Sequence, residues 1–310
     1  MVSKIKYYKN FDVHKKHKNS IILIGNFDGV HLGHQKLFKK ALILKKRKKY
    51  KIGVVTFDPI PKMFFFKKIS NYRISNLNQK IEILKKFKVD FVINKKFDLK
   101  FSKITCNKFI EKFLYKKLSA KLIFVSNNFR FGHKREGDVK LLKFFEKKFN
   151  YRIINPSPLK KKKKIISSTS IRKLLEKGQI STANKYLDRN WSIQGIVQYG
   201  RRLGKTIGFP TCNIDIGNYV IAKPGVYAVK ILINKTKKKL SGIANLGYRP
   251  TFNQNKILLE VNIFNFKKNL YNKKLTVEFL NFIRGEKKFN GIDELKKQIK
   301  IDVKIAKKLK

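Results

Sequence analysis

Acidic residues and cysteines are scarce in this sequence of 310 residues. Only 19 aspartates and glutamates stand against 75 lysines and arginines, and the two cysteines are Cys106 and Cys212. Two cysteines give neither the disulfide framework of a small secreted domain nor a zinc-binding pattern. We therefore expect a protein of a reducing compartment, with a cytoplasmic location.

Long apolar runs are also missing. No run approaches the roughly 18 residues of a membrane-spanning helix. The lysine-rich residues 1–19 lack the apolar segment of a secretory signal peptide. We therefore expect a soluble protein with no membrane partner.

The formal net charge is +56, and the lysines are spread along the whole sequence. Lysine, isoleucine, phenylalanine and asparagine are all abundant and all have A/T-rich codons, so base composition of the gene is one explanation of the charge. A basic nucleic-acid-binding protein is the alternative. Because charge alone carries no base readout, we expect no nucleic-acid partner.

Residues 21–34 read IILIGNFDGVHLGH and combine a strand, a glycine turn and a helix start. We predict a strand over Ile21–Ile24 and a helix over Gln35–Lys46. Glycines and a helix N-terminus let backbone amides approach a phosphate. His31 and His34 are three residues apart and can reach the same ligand. An H-x-x-H metal pair would need further ligands, and no second Cys/His cluster is present.

The two histidines resemble the H-x-G-H signature of the nucleotidyltransferase superfamily, and residues 25–35 are similar to its FAD synthetase branch. The resemblance implies that His31 and His34 are catalytic and stabilise the charge of the transferring phosphates. It also implies that the loop around them binds ATP through Gly25, Asn26, Phe27 and Asp28.

Residues 1–188 are predicted to form one α/β domain, a Rossmann-like parallel sheet with helices on its faces, because apolar strands alternate with amphipathic segments. The predicted strands are Ile21–Ile24, Ile52–Phe57, Phe91–Ile93, Leu122–Val125 and Tyr151–Ile154. The predicted helices are Gln35–Lys46, Leu77–Phe87, Ile104–Leu118 and Asp138–Phe149. Ligands of such sheets bind at the carboxyl ends of the strands.

Two loops at these strand ends carry aromatic residues. Residues 56–65 read TFDPIPKMFF, and their aromatics either stack on a flat ligand or pack under the loop. Residues 125–132 read VSNNFRFG and are similar to the family segment V-G-x-[DN]-F-x-F-G, with Ser126 and Asn127 as departures. The resemblance implies flavin-binding residues in both loops, namely Phe57, Pro59, Asn128 and Phe129.

Residues 166–172 read ISSTSIR. Without context, this is an ordinary Ser/Thr helix cap followed by an apolar face. The string also resembles the I-S-S-T-x-I-R signature that accompanies H-x-G-H in the family. That resemblance implies that Ser167, Ser168 and Thr169 bind ATP phosphates, and that Arg172 is catalytic.

Residues 189–310 change pattern. Short strands follow one another without helices, which predicts an antiparallel β-barrel. The predicted strands are Trp191–Val197, Val226–Ile233, Leu240–Asn245, Leu258–Phe266 and Leu275–Phe282. Near the end, Leu295, Ile299, Val303 and Ala306 have the spacing of an amphipathic helix.

Residues 200–213 read GRRLGKTIGFPTCN, and their glycines and basic side chains are suited to binding a polyphosphate. A basic glycine-rich hairpin is the simpler alternative. Thr211 and Asn213 are hard oxygen ligands suited to Mg²⁺. The string resembles the riboflavin kinase signature G-F-P-T-A-N, with Cys212 replacing alanine. This resemblance implies that Thr211 and Asn213 bind the metal, and that ATP is bound by Gly204, Lys205, Gly208 and Pro210.

Glu278 is expected to act as a general base. Strand alternation over residues 274–279 places it on the opposite face from Val277 and Phe279. Alone, such a glutamate is usually only solvated. By resemblance, Glu278 matches the base that removes the proton of the riboflavin ribityl 5′-hydroxyl.

The resemblance extends from Ile21 to Leu309 and is to the bacterial FAD synthetase family of bifunctional enzymes. It implies an α/β nucleotidyltransferase domain followed by a β-barrel riboflavin kinase domain with a C-terminal helix. The implied chemistry is phosphorylation of riboflavin to FMN, then adenylylation of FMN to FAD with release of pyrophosphate, with ATP as co-substrate and Mg²⁺ as cofactor. The alternative is that only one of the two activities is retained.

Overall fold

The computed structural model describes residues 5–161, 164–199, 203–234, 236, 238–251 and 254–309, without the side chains of residues 203, 205, 249–251 and 254–256. The chain forms two compact units. Residues 1–70 and 77–167 form the first unit, and residues 71–76 and 168–310 form the second. In the part of the chain described, no helix is long and apolar enough to cross a membrane.

The first unit contains a six-stranded parallel sheet with the strand order β1-β4-β3-β2-β5-β6, as the strand–helix alternation predicts. The two edge strands are short. The strands are β1 (Lys6–Tyr8), β2 (Ile21–Ile24), β3 (Ile52–Asp58), β4 (Phe91–Lys96), β5 (Leu122–Phe124) and β6 (Arg152–Ile154). Of these, β1 escapes prediction because its three residues carry no apolar alternation.

The helices of this unit connect successive strands. They are α1 (Leu32–Lys48), α2 (Pro61–Phe65), α3 (Leu77–Lys86), α4 (Leu99–Ser102), α5 (Cys106–Lys108), α6 (Val139–Phe144) and α7 (Glu146–Phe149). The predicted helix Ile104–Leu118 is α5 continued by a π-helical segment, Phe109–Lys117. The predicted helix Asp138–Phe149 is divided into α6 and α7. A two-stranded ribbon, β7 (Lys160–Lys161) and β8 (Lys164–Ile165), follows β6.

Both faces of the parallel sheet are covered, so its central strands are continuously apolar. All four residues of β2 are buried. Ile22 and Ile24 belong to one apolar cluster, and Ile21 and Leu23 belong to a second cluster. This explains why the sequence of β2 has no polar alternation, and it fixes the loop after β2 on a rigid support.

Replacement of Gly53 by alanine should destabilise the first unit by roughly 1–3 kcal/mol, the usual cost of overpacking a core. A Cβ atom at Gly53, in β3, would lie 2.2 Å from the ring of Phe91 on the adjacent strand. The matched control is Gly285→Ala, because nothing lies within 4 Å of a Cβ at that position. Urea unfolding measures both changes, and equal unfolding free energies would contradict the prediction.

The second unit contains a closed antiparallel barrel with the strand order β10-β13-β12-β11-β14-β9. The barrel confirms the predicted fold. Its strands are β9 (Ser192–Gln198), β10 (Cys212–Asp215), β11 (Gly225–Ile233), β12 (Leu240–Thr251), β13 (Gln254–Ile263) and β14 (Lys274–Arg284). Strand β10 was not predicted, because it begins within the string interpreted as a phosphate loop.

Among its described residues, the second unit has the helices α8 (Ser168–Glu176), α9 (Ile180–Leu187), α10 (Leu203–Thr206) and α11 (Ile292–Lys308). Buried residues of α8 and α9, such as Leu175 and Ala183, share one apolar cluster with the barrel interior. The closing helix α11 is confirmed, and Ala306 packs with Val226 and Ile243 of the barrel. The predicted domain boundary at residue 188 remains a prediction, while the compact units divide between Ser167 and Ser168.

Candidate active sites

The predicted ligand loops of the first unit follow three neighbouring strands. Strands β3, β2 and β5 are adjacent in the sheet, and their carboxyl ends lead to Pro59, Gly25 and Ser126 respectively. The order of the sheet reverses between β2 and β5, which is where open α/β sheets bind ligands. The topology therefore gathers at one edge the loops that the sequence singled out.

The loop after β2 is held in a tight conformation. Phe27, Gly29 and Val30 have φ values of 45°, 76° and 38°, and the Phe27 side chain is buried. A left-handed backbone at a non-glycine residue costs on the order of 1–3 kcal/mol, and the surrounding structure must supply it. At Asn26, the carbonyl accepts hydrogen bonds from Thr56 Oγ1 at 3.1 Å and from Lys80 Nζ at 2.7 Å.

Lys80 is a residue of this site that the sequence analysis missed. Its side chain is buried, and Nζ also donates to Thr56 Oγ1 at 3.0 Å. The signal that could have identified Lys80 is its position on the buried face of α3, between Leu77 and Leu84. Because a buried ammonium is costly without partners, the contacts of Lys80 fix the loop backbone relative to α3.

His31 is the N-cap residue of α1, and His34 lies in its first turn. The two imidazole rings stack, with centroids 3.7 Å apart and planes at 23°. The three-residue spacing therefore does place both histidines together, as predicted. The first backbone N–H groups of a helix have no intrahelical partners, so this end of α1 is suited to an anion.

His34 is held neutral. Its pKa is lowered well below the ordinary value of 6.5, first by burial and then by the charges of His31 and Lys80. Among the described residues, none hydrogen-bonds its Nδ1. The edge of the Phe27 ring packs against this imidazole, with the ring centroids 5.2 Å apart. A neutral imidazole still provides one N–H donor for a phosphate oxygen.

The lowered pKa of His34 should make the protein less stable in mild acid. Below pH 6.5 the unfolded chain binds a proton at His34, whereas the folded chain binds it only at lower pH. The contribution of His34 to the free energy of unfolding is therefore fully present above pH 6.5, and it is lost as the pH falls from 6.5 toward the lowered pKa of the folded state. In a His34→Gln variant, the urea midpoint should fall less between pH 7.5 and pH 5.5. A residual fall is expected, since the pKa of buried His17 is also lowered, chiefly by burial. An unchanged pH dependence would contradict the prediction.

The remaining predicted ATP-site residues are divided between the units. Asp28 is buried in the loop after β2. A Cβ at Gly33 would lie 3.1 Å from the carbonyl oxygen of Ile166, so the residue before Ser167 lies against the start of α1. Three further predicted residues, Ser168, Thr169 and Arg172, lie on α8 of the second unit. Their action together with the two histidines remains a prediction.

The four predicted flavin-binding residues differ in exposure. Phe57 is buried, and its ring packs against Phe101, which fits the alternative that this aromatic packs under its loop. Pro59 is half-buried beside it, whereas Asn128 is exposed and accepts a hydrogen bond from the Ser126 hydroxyl at 2.9 Å. Phe129 is half-buried and stacks on Phe131, with the ring centroids 5.5 Å apart.

A cavity of about 490 Å³ lies on the outer face of the barrel. The strand register aligns Asn213 of β10 with Glu260 of β13, and Glu260 with Asn245 of β12. These three side chains line the cavity, as does Thr211. Alternate residues of the same strands belong to the barrel core, so the polar row faces outward as the two-residue period of a strand requires.

The rest of the cavity wall is largely apolar and aromatic, with Ile243, Phe289, Leu295 and Ile299 among its residues. At its margin, Arg284 forms a fork of hydrogen bonds to Asp302, with distances of 2.8–3.0 Å. Asp302 is buried in α11, so this charge pair fastens the closing helix to β14.

A second cavity of about 320 Å³ shares Thr211 and Tyr271 with the first. Pro210 and Cys212 line it, together with Lys267 and Lys268. One threonine thus borders both an apolar cavity and a basic cavity.

Glu278 does not lie with Thr211 and Asn213. Its strand register pairs it with Ser192 of β9 and Lys230 of β11, and its carboxylate forms a salt bridge to Lys239 at 2.7 Å. It lines neither cavity. The alternation correctly placed it on the outer face of the barrel, but alternation cannot tell which strands lie under the cavity. Glu260 is the glutamate that the structure brings to the predicted metal ligands.

The glycines of the predicted kinase ATP site have distinct roles. A Cβ at Gly204 would lie 2.5 Å from the carbonyl oxygen of Phe209 and 3.1 Å from Thr211 Oγ1, so this position admits no side chain. Gly208 has a φ of 83°, which favours glycine. The Lys205 side chain and residues 200–202 lie outside the described residues.

The donors at Thr211 and Asn213 fit Mg²⁺. Asn213 is buried, and no described group hydrogen-bonds its Oδ1. The Asn262 side chain donates to the Pro210 carbonyl at 2.8 Å and holds this segment in place. The residues described contain no cluster of three or more His, Cys, Asp or Glu that could hold a metal alone. One carboxylate and neutral oxygens suit Mg²⁺ that is completed by nucleotide phosphates.

The fold and the two sites define a two-domain transferase that uses nucleotides. Residues 13–170 match the family model of FAD synthetase, and residues 187–310 match that of riboflavin kinase. The bifunctional riboflavin kinase/FMN adenylyltransferase of Buchnera aphidicola from Schizaphis graminum is 41% identical over 95% of both chains. The enzymes of the same description from Haemophilus influenzae and Escherichia coli K12 are 39% and 35% identical, over 92% and 91% of this chain and 92% and 90% of their own. The chain belongs to the bifunctional riboflavin kinase/FMN adenylyltransferase family and carries both enzyme domains.

A solved structure supports the fold over the full chain. A crystal structure described as a macrolide-efflux protein from Streptococcus pneumoniae has a TM-score of 0.85 and 29% identity, covering 97% of this chain and 98% of its own. This similarity is a similarity of fold between the two chains.

Proposed function

We propose that the barrel domain converts riboflavin and ATP to FMN and ADP, and that the α/β domain converts FMN and a second ATP to FAD and pyrophosphate. The observation that carries the kinase half is the alignment of Asn213 with Glu260 beside Thr211 in one cavity. The stacked pair His31 and His34 at a helix start supports the adenylyltransferase half. A cytoplasmic location is part of this proposal.

Glu260 is our candidate for the general base of the kinase step. Its carboxylate accepts the proton of the ribityl 5′-hydroxyl as that oxygen bonds to the γ-phosphorus of ATP, while the bond from that phosphorus to the β,γ-bridging oxygen breaks and ADP leaves. Thr211 and Asn213 orient the ATP tail toward this carboxylate through their oxygens. These two residues would hold Mg²⁺, which would supply positive charge that neutralises the phosphates.

The two cavities of the barrel suggest how the substrates divide. The larger, apolar and aromatic cavity suits the isoalloxazine ring and buries it against α11. The smaller cavity offers Lys267 and Lys268 to ATP. Because Thr211 borders both, the γ-phosphate and the ribityl hydroxyl meet there.

The adenylyl step needs no covalent intermediate. A phosphate oxygen of FMN bonds to the α-phosphorus of ATP, and the bond to the leaving pyrophosphate breaks in line. His34 donates a hydrogen bond to the transferring phosphate as a neutral imidazole, with His31 beside it. The helix N-terminus adds backbone donors that are already oriented.

The test is incubation of the purified chain with riboflavin, ATP and Mg²⁺, with chromatographic separation of FMN and FAD. FMN should appear first and FAD later, and a chelator should stop FMN formation. Supplying FMN directly tests the second step separately, so accumulation of FMN without FAD would establish a single activity. Salt-sensitive RNA binding without riboflavin turnover would overturn the proposal in favour of a nucleic-acid-binding protein.

A further inference from the structure

The aromatic residue Tyr72 contacts the Arg172 side chain in two ways. Arg172 lies on α8 with only 7% of its surface exposed. The guanidinium carbon Cζ lies 3.6 Å from the centroid of the Tyr72 ring. In addition, Nε donates a hydrogen bond to the Tyr72 carbonyl oxygen at 2.7 Å. The stacking fixes the plane of the guanidinium, and the hydrogen bond fixes its rotation within that plane.

Tyr72 is itself fastened to the barrel domain. It belongs to residues 71–76, which we call the strap and which form part of the second unit. The backbone N–H groups of Tyr72 and Arg73 both donate to the Asn218 carbonyl, at 3.0 and 2.8 Å. The Asn71 side chain donates to the carbonyls of Gly217 and Tyr219, at 2.6 and 3.1 Å. The turn after β10 therefore fixes the residue against which Arg172 rests.

The other end of the strap is equally fixed. Trp191 is buried, and its Nε1 donates to the Ile74 carbonyl at 3.0 Å. Ile74 is buried in the same apolar cluster as the barrel interior. A free arginine side chain samples many rotamers, and restricting it costs entropy each time it binds. The anchored strap supplies that restriction before any substrate arrives.

We propose that Tyr72 is a positioning residue for FAD formation, which acts by holding the Arg172 guanidinium in the orientation that a phosphate requires. This inference rests on the proposed function, and it also takes from the sequence prediction that Arg172 acts in the adenylyl step. Arginine recognises phosphate through a planar fork, so its plane matters as much as its location. A displacement of about 1 Å can cost on the order of 100-fold in rate.

The experiment compares Tyr72→Ala, Tyr72→Phe, Arg172→Ala and the double variant Tyr72→Ala/Arg172→Ala, with kcat and KM measured for FMN-to-FAD and riboflavin-to-FMN conversion. Lys223→Ala is the matched control, since it removes another cation–π contact of the second unit, that of Lys223 with Phe282 at 5.0 Å. Tyr72, Arg172 and the barrel share one unit, so riboflavin-to-FMN conversion reports whether this unit is folded.

Tyr72→Ala should lower kcat for FAD formation about 10- to 100-fold and leave FMN formation unchanged. Tyr72→Phe keeps the ring and the backbone carbonyl and should restore kcat to within about twofold. The double variant should be no slower than Arg172→Ala, because Tyr72 acts through that arginine. Lys223→Ala should have wild-type rates for both reactions.

Three results would overturn the inference: wild-type FAD formation by Tyr72→Ala, additive losses in the double variant, or an equal loss of both reactions in Tyr72→Ala. The first two leave a slow Arg172→Ala and the proposed function intact. If Arg172→Ala itself forms FAD at the wild-type rate, the proposed role of Arg172 fails instead. If the unaltered chain does not convert FMN to FAD, the adenylyltransferase proposal fails.

Discussion

Replacing His34 with alanine should lower the rate of FAD formation from FMN about 10²- to 10³-fold while FMN formation from riboflavin continues at the wild-type rate. That magnitude is typical for removal of one oriented donor from a charged transition state. His34 stacks on His31 at 3.7 Å, so the variant also leaves the His31 ring without its support. The measurement is single-turnover conversion of supplied FMN, with riboflavin phosphorylation measured in the same preparation.

His14→Ala is the matched control for His34→Ala. His14 belongs to the same unit but is exposed, and its ring accepts a local backbone hydrogen bond from Lys16. We expect that variant to form FAD at the wild-type rate. If His34→Ala abolished both reactions in a folded protein, the model of two separate sites would be wrong.

Replacing Glu260 with glutamine should lower the rate of FMN formation about 10²- to 10⁴-fold, the range expected for loss of a general base. Glutamine keeps the size of the side chain but cannot accept the hydroxyl proton as a carboxylate does. Conversion of supplied FMN to FAD should be unaffected, because it takes place in the other domain. Initial rates of both reactions, with riboflavin and with FMN as substrates, provide the measurement.

Glu278→Gln is the matched control for Glu260→Gln, since it makes the same chemical change on the same face of the barrel. Glu278 is engaged by Lys239 and Asn190 and lines neither cavity. We expect FMN formation within about twofold of wild type, since Glu278 lies outside the cavity in which we propose the reaction. Loss of FMN formation in Glu278→Gln but not in Glu260→Gln would restore the assignment made from the sequence.

The two glutamates show that the sequence predicts the face of a strand but not which strands lie under the cavity. The two-residue period of a strand correctly placed Glu278 on the outer face. The cavity lies over β10, β13 and β12, and that choice depends on strand pairing between segments far apart in the chain. In addition, β10 begins within a glycine-rich string and was not recognised as a strand, so its alignment with Glu260 could not be anticipated.

The central strands of the first domain were predictable for a physical reason. In a parallel sheet covered on both faces, each strand is a continuous apolar run that is easily distinguished from its neighbours. The predicted strand Ile21–Ile24 agrees with β2 at both ends. Lys80 was missed because a lysine is ordinarily solvated, and only the fold reveals that it is buried beside the loop after β2.

By itself, the sequence determined the order of the two domains, their fold classes, and the histidine, threonine and asparagine motifs. These features depend on residues close together in the sequence, through the periodicity of apolar residues and the fixed spacing of motif residues. Only the tertiary structure decided that Glu260 rather than Glu278 lies with the predicted metal ligands Thr211 and Asn213, and that the strap belongs with the barrel. Those features arise from pairing across long separations, and each such contact is set by the packing of the whole unit rather than by its neighbours in the chain.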